Sequence, residues 1–302
     1  MGKSGRMKFS KAERQEAVTG YLFVTPYLIA FIIFTGIPFL SAFVMSLTNM
    51  KFLTNLDGVQ FVGLKNFIRI FQTSGVMDAL WRTFLYSLIY VPVIMVLSFV
   101  LAYLLNKGVH AVKPIRSMVF LPYVSNMIAV AVVWQIMLGP RGPIYAVQKL
   151  LGSENPVIPL LDLKWALPTC VLIAVWKSLG LNFLTYLGAL QNVPVELIEA
   201  AEIDGASKWQ QIKNVVIPAV SPTTFFLTIS SIITSLQNFT VIQGLTGGGP
   251  GDATRVMSLS IVDYAFTKYQ TGFAAAQAIL MFAIVMVITL IQWRGQKKWV
   301  NY

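Results

Sequence analysis

The chain has 302 residues, 56% of them drawn from AVILMFWYC and only 12% charged, a balance that excludes an ordinary water-soluble domain. Its formal net charge of +11 would suggest nucleic acid in a soluble protein; here it reads as membrane topology, and no nucleic-acid partner is expected. One cysteine, Cys170, and one histidine, His110, exclude a disulfide framework and a His/Cys metal cage.

Six apolar stretches, 21–47, 84–105, 117–138, 165–191, 219–243 and 273–293, each reach the roughly 20 residues a helix needs to cross a hydrocarbon core about 30 Å thick. Among 23 Lys/Arg and 12 Asp/Glu, only Lys177 falls inside them. Backbone in lipid must bond within its own segment, and ten-residue alternating strands are absent. The expected fold is therefore all-α integral membrane, with six transmembrane helices. Residues 1–20 form an amino-terminal segment and 21–302 the six-span domain. With the amino terminus inside, segments 1–20, 106–116, 192–218 and 294–302 carry 13 Lys/Arg in 67 residues, against 9 in 91 for 48–83, 139–164 and 244–272. That bias puts both termini on the cytoplasmic side of a cell membrane.

Residues 1–20 mix Lys and Arg with Glu13 and Glu16, and the apolar run that follows is too long for a signal-peptide core, so the first span is expected to stay uncleaved. Pro26 and Pro38 within it predict kinks or interruptions. In 58–83, the residues Phe61, Leu64, Phe67, Ile68 and Phe71 with Lys65 and Arg69 between them predict a short amphipathic helix, either lying at the interface or packed as an external cap. The stretch Asn106 to Arg116 reads as a short inside loop, and 139–164, rich in Gly and Pro, as an external one.

Residues 193–222 read VPVELIEAAEIDGASKWQQIKNVVIPAVSP. Pro194 suits a first helical position, and Glu196, Glu199 and Glu202 follow near the positive end of the helix dipole, so a short helix is expected to about Asp204. Gly205 permits a sharp turn, and a second helix from about Ser207 carries Trp209, Ile212, Val215 and Val216 until Pro218 ends it. A solvated helix-turn-helix would look like this. Yet four of the twelve acidic residues gather here beside Ala200-Ala201 with no long basic run, which suits a docking surface for another protein. On the fifth span Thr224, Thr228, Ser231, Ser235 and Asn238, spaced 4, 3, 4 and 3, share one helix face. GLTGGGPGDAT at 244–254 lacks the Lys-Ser or Lys-Thr pair of a phosphate loop and reads as a flexible external turn. No span carries paired carboxylates, a His cluster or a Ser-His arrangement, so no catalytic residue is assigned.

Glu199-Ala200-Ala201, three residues, Gly205, nine residues and Val215-Val216-Ile217-Pro218 resemble the EAA loop of binding-protein-dependent ABC importer permeases. That motif normally ends Ile-X-Leu-Pro; here Val215 and Ile217 hold the two apolar positions. GYLFVTPYLIAFIIF, FVGLKNF, Leu121-Pro122, LGALQNVP, and LTGGGP followed by Thr254 are similar to the sugar-importer branch, like the larger permease of maltose and glycerol-phosphate transporters. The resemblance implies a type I ABC importer permease, a sugar or oligosaccharide substrate, a second homologous permease, a pair of ATPase subunits and an extracytoplasmic substrate-binding protein. ATP and Mg belong on the ATPase, and this chain holds no cofactor. It further implies that Glu199, Ala200, Ala201, Gly205, Val215, Ile217 and Pro218 dock the ATPase, whose ATP-driven closure moves the loop and opens the permeases outward. The resemblance implies as well that the last five spans form the core and that the first wraps a neighbour. With only 36 residues in 48–83, the long external insertion of some members is missing.

The resemblance also places the substrate between the spans that flank the loop. There Ser231, Ser235 and Asn238 can exchange hydrogen bonds with sugar hydroxyls, while Thr224 and Thr228 read as carbonyl-satisfying or packing residues, an alternative open to the whole stripe. On the fourth span Trp176, followed by Lys177 and Ser178, offers a ring to stack on a pyranose or to pack in the core, and Ser178 is a candidate substrate contact with them. Lys177 either contacts an anionic sugar, reaches a carbonyl, lines a wet cavity or meets the partner permease. The polar but uncharged spans otherwise fit a neutral sugar better than a phosphate. The alternative function is an ion-coupled secondary transporter of a neutral solute; it lacks a span Asp, Glu or His to carry protons and leaves the loop unexplained.

Overall fold

A computed structural model describes residues 11–52, 58–106 and 112–299; His110 and the turn around it lie outside these. All named elements among the described residues are helical, and one isolated bridge joins Thr48 to Phe61. Five helices are long and apolar enough to cross a membrane: Gln15–Ser46, Ser74–Asn106, Met127–Leu150, Ala166–Gln191 and Thr271–Gln296. A sixth is counted when Lys208–Ala219 and Ser221–Leu236, bent by 70°, are taken as one span.

The first rod joins α1 (Lys11–Phe31), a π turn (Ile32–Gly36) and α2 (Ile37–Ser46). Pro26 sits inside α1 without ending it. Pro38 has no N–H to give, and just before it the ladder widens by one residue, Ile37 N–H bonding to the Ile32 carbonyl. The expected interruption is thus a wide turn within a continuous helix. No described side chain from Gln15 to Met45 is buried, and Phe23 is 82% exposed. Contact with the rest of the chain comes through α2, where Phe39 meets Phe282 edge-on at 5.0 Å.

Residues 58–83 do not stay a loop. Helix α3 (Lys65–Gln72) forms where the amphipathic pattern puts it, and α4 (Ser74–Asn106) begins ten residues before the second apolar stretch. The two faces of α3 differ. Its inner face is a cap: Asn66 donates to the carbonyls of Ser46 at 2.9 Å and Thr48 at 2.7 Å, Ile70 is buried, and the Arg69 guanidinium lies 4.2 Å over the Phe273 ring. Its outer face leaves Ile68 and Phe71 exposed.

The apolar stretch 117–138 is not one helix. α5 (Val112–Val124) and α6 (Met127–Leu138) meet at Ser125-Asn126, where the Asn126 side chain accepts from Ile128 N–H at 2.8 Å and so restarts the helix. The Gly/Pro-rich connection beyond it holds another helix, α7 (Pro143–Leu150). α8 (Ala166–Gln191) matches its apolar stretch and is the centre of the fold, with Cys170, Val171, Phe183 and Tyr186 buried. It packs along α4 and α5. At Gly180 an added Cβ would lie 2.8 Å from the Phe120 Cα and the Val119 carbonyl oxygen, so glycine sets how closely α5 and α8 approach.

After the loop helices α9 (Val195–Ile203), α10 (Lys208–Gln211) and α11 (Ile217–Ala219), α12 (Ser221–Leu236) ends seven residues short of the apolar stretch 219–243, and α13 (Thr240–Leu245) is separate. The turn at 244–254 is pinned rather than loose: buried Thr254 donates to the Gly249 carbonyl at 2.9 Å and shares a 2.6 Å hydrogen bond with Thr246, while Arg255 pairs with Asp252 and Asp263. α14 (Met257–Val262) and α15 (Thr271–Trp299) complete the chain. Small and polar side chains, among them Ser87, Ser98, Asn182, Ser231, Ser235 and Gln277, lie between helices, whereas many large apolar ones point out. That distribution suits lipid, which exerts no hydrophobic drive between helices and rewards close packing and interhelical hydrogen bonds.

Candidate functional site

The connection after α8 is built by local hydrogen bonding. Pro194 is the residue before α9 rather than its first residue, and Glu196 stands in the first turn. At the other end Gly205 adopts φ +75°, its N–H bonds to the Glu202 carbonyl at 3.0 Å, and the Ala206 N–H bonds to the Ala201 carbonyl at 2.9 Å. This pair of bonds is the Schellman stop, which needs a left-handed residue at that position. Ala201 and Gly205 of the motif are therefore two halves of one turn. Ser207 then starts α10 with a capping box: its hydroxyl accepts from Gln210 N–H at 3.3 Å, and its own N–H donates to Gln210 Oε1 at 2.7 Å. Lys208 forms an ion pair with Glu202, and the buried Gln211 donates to the Ala206 carbonyl at 3.1 Å.

Pro218 does not end the second helix. A π turn (Ile212–Val216) precedes it, with Ile217 N–H reaching back to the Ile212 carbonyl, and the chain bends two residues later, at Val220. The same device answers Pro38. Of the seven motif residues, Glu199, Ala200 and Gly205 are exposed and Ala201 half-buried on the crest. Val215 and Pro218 are half-buried and Ile217 exposed at the root. Val216, between them, is the anchor: it packs with Leu190, Val193, Val220 and Leu227. Around the crest, Leu197, Ile203 and Trp209 also face outward, Ile203 87% and Trp209 68% exposed. Their signal in the sequence is apolar side chains on a short helical loop between charged neighbours.

The stripe on α12 faces into the chain. The Tyr186 hydroxyl donates to Thr224 Oγ1 at 3.1 Å, and Thr228 donates back to the Thr224 carbonyl at 2.7 Å. Asn182 Nδ2 lies 3.5 Å from Ser231 Oγ, Ser235 Oγ donates to Ser87 Oγ at 2.7 Å, and Asn238 Nδ2 donates to the Tyr86 hydroxyl. Ser231 and Ser235 are buried, Asn238 half-buried. The stripe is a polar seam joining α12 to α4 and α8. A second row, Ser230 and Thr234 on α12 and Gln237 just past its end, at 4 and 3 residue spacing, lies on a different face, with Thr234 and Gln237 exposed. It carries the same helical periodicity, and only packing separates the two.

On α8, Ser178 shares a hydrogen bond with Tyr90. Trp176 stays 41% exposed and meets Trp134 edge-on at 5.6 Å. Half-buried Lys177 donates to the Tyr123 carbonyl at 3.2 Å, at the end of α5. Among the described residues no group of His, Cys, Asp and Glu is arranged to hold a metal ion.

Residues 67–298 match the family described as binding-protein-dependent transport system inner membrane component. The chain belongs to this family. Relatives include the probable ABC transporter permease protein YesP of Bacillus subtilis (strain 168), 32% identical over 300 residues, covering 98% of this chain and 96% of that protein. The sn-glycerol-3-phosphate transport system permease protein UgpA of Agrobacterium fabrum is 31% identical over 285 residues, covering 93% of this chain and 96% of that one. Among solved structures, a chain of the bacterial alginate ABC transporter in complex with alginate pentasaccharide-bound periplasmic protein aligns with TM-score 0.83 at 23% identity over 94% of this chain and 96% of that chain. A chain of the MetNI methionine ABC transporter aligns at TM-score 0.54, 16% identity, over 76% of this chain and all of that one. As an inner-membrane component of a binding-protein-dependent system, this chain is a multi-pass permease with the type I importer fold, and the ion-coupled alternative is set aside.

Proposed function

We propose that this permease is one of two homologous subunits of an ATP-driven importer that carries a sugar or oligosaccharide delivered by an extracytoplasmic binding protein, with ATP and Mg held by a separate ATPase pair. The observation that carries the coupling role is the exposed crest at 195–209. A twice-capped helix pair that leaves Val195, Leu197, Ile203 and Trp209 exposed presents apolar surface on the side that the proposed topology makes cytoplasmic, and a partner groove is what would cover it. Glu199, Ala200, Ala201 and Gly205 form the contact face, and Val215, Ile217 and Pro218 transmit its movement into the bent root of α12. Membership of the family and the glycerol-phosphate permeases among its relatives support a polyhydroxylated cargo.

For the cargo, the exposed row Thr234 and Gln237, together with Asn238, Trp176 and Lys177, offers donors, acceptors and a ring on surfaces of α12 and α8. An outward polar row on a crossing helix is unfavourable against lipid and favourable along a water-filled path or a partner permease. Ser231, Ser235 and Ser178 support these positions through the seam. The test is the assembled complex in proteoliposomes. Uptake should require the binding protein and internal ATP, and Ile203→Glu should release the ATPase during purification while the permease pair remains intact. Uptake driven by an ion gradient without ATP, or retention of the ATPase by Ile203→Glu with normal coupled hydrolysis, would overturn this function.

A further inference from the structure

We propose that α3 is an in-plane anchor that binds acidic phospholipid headgroups at the membrane surface, a role that holds whatever the cargo of the permease. At about 100° per residue, the side chains of α3 and of Leu64 at its start fall into three sectors. Asn66 and Ile70 face the protein and are buried. Leu64, Ile68 and Phe71, spaced 4 and 3, share a second sector and are 65%, 55% and 63% exposed. Lys65, Arg69 and Gln72 share the third and are exposed. Water alone does not account for the apolar sector, nor acyl chains alone for the charged one; protein on one side, acyl chains below and headgroups above account for all three.

The depth of the helix is fixed by its partners. The Asn66 amide donates to the carbonyls of Ser46 and Thr48, where the apolar stretch 21–47 ends, and the Arg69 guanidinium lies over Phe273, where the stretch 273–293 begins. α3 therefore lies at the boundary between hydrocarbon and headgroups, and its apolar sector meets the upper acyl chains. At that level Lys65 and Arg69, about one helical turn apart, meet lipid phosphates. Neither enters a salt bridge among the described residues, so no carboxylate there neutralises them, and an acidic headgroup does. The Thr73 N–H and hydroxyl both donate to the Arg69 carbonyl, at 3.0 and 2.8 Å, so α3 leads directly into α4. The lipid surface thus holds the adjoining ends of α2, α4 and α15 at one depth.

The experiment uses the complete transporter in phosphatidylcholine nanodiscs, with or without phosphatidylglycerol. A nitroxide is attached at Ile68→Cys or at Gln72→Cys in a Cys170→Ala background, and its collisions with oxygen, which partitions into acyl chains, and with a water-soluble nickel chelate are compared. The oxygen-to-nickel ratio at position 68 should exceed that at 72 about fivefold or more. Phosphatidylglycerol should raise the ratio at 68 about twofold, and Lys65→Gln with Arg69→Gln should abolish that rise. Lys65→Gln alone, which leaves Arg69 on the Phe273 ring, should reduce it. Equal ratios at 68 and 72 would put the apolar sector in water, and an immobile label at 68 shielded from both reagents would put a protein partner on it; either result overturns the proposal. A ratio at 68 unchanged by phosphatidylglycerol, or a rise that survives the double substitution, would overturn the acidic-headgroup assignment.

Discussion

Gly205 and Gly180 both favour glycine, for different physical reasons. A Cβ at Gly205 would meet nothing within 4 Å, so within this chain the requirement is the backbone at φ +75°, which costs an ordinary L-residue about 1–2 kcal/mol. Asparagine tolerates that region and a β-branched residue does not. Gly205→Asn should keep most substrate-stimulated ATP hydrolysis and Gly205→Val should lose it; equal loss in both would shift the cause from the backbone to crowding by the partner. At Gly180 the backbone is helical and the reason is contact with α5. Gly180→Ala should destabilise the protein by about 1–3 kcal/mol, read as a lower thermal midpoint in detergent.

At the scale of elements, α12 is held by its polar seam at one end and by Val216, Val220 and Leu227 at the other. Interhelical hydrogen bonds of this kind are worth about 0.6 kcal/mol on average in a membrane protein, up to about 1.7. Ser235→Ala and Ser87→Ala should each lower stability modestly and together cost less than their sum, because each removes the same bond. The thermal midpoints of the two single variants and the double variant measure this. Strictly additive losses would mean that the two hydroxyls do not act as a pair. Asn238 differs, since it is half-buried at the end of the seam: Asn238→Ala should reduce uptake several-fold with ATPase assembly unchanged. Wild-type uptake would assign it to packing alone.

For the whole molecule, the proposed topology puts 139–164 outside and 192–218 inside. Reporter fusions after Ser153 and after Lys213 should accordingly report opposite sides, and the same side for both would refute the arrangement. The first rod has no buried side chain among the described residues from Gln15 to Met45. It meets the rest of the chain chiefly where α2 packs on α15; on the proposal that the first span wraps a neighbour, cross-linking from Phe23 should reach the partner permease rather than α15.

Much of this was determined by the sequence alone. Apolar length and the scarcity of charge establish the helical membrane class, because a backbone in lipid has few ways to satisfy its hydrogen bonds. The spacing from Glu199 to Gly205 marks the loop, because a Schellman stop and a capping box are short-range structures whose partners lie within a few residues. The break at Ser125-Asn126, the continuation of the helix through Pro218 and the burial of Ser231 and Ser235 were decided by tertiary structure. An apolar run does not reveal a change of helix direction, and a proline absorbed by a π turn looks the same in sequence as one that ends a helix. The 4, 3, 4, 3 spacing of the α12 stripe reports an angle around one helix axis. The identity of whatever lies across from that face, Tyr86, Ser87 and Asn182 rather than water or sugar, depends on residues far away in the chain, so no local period encodes it.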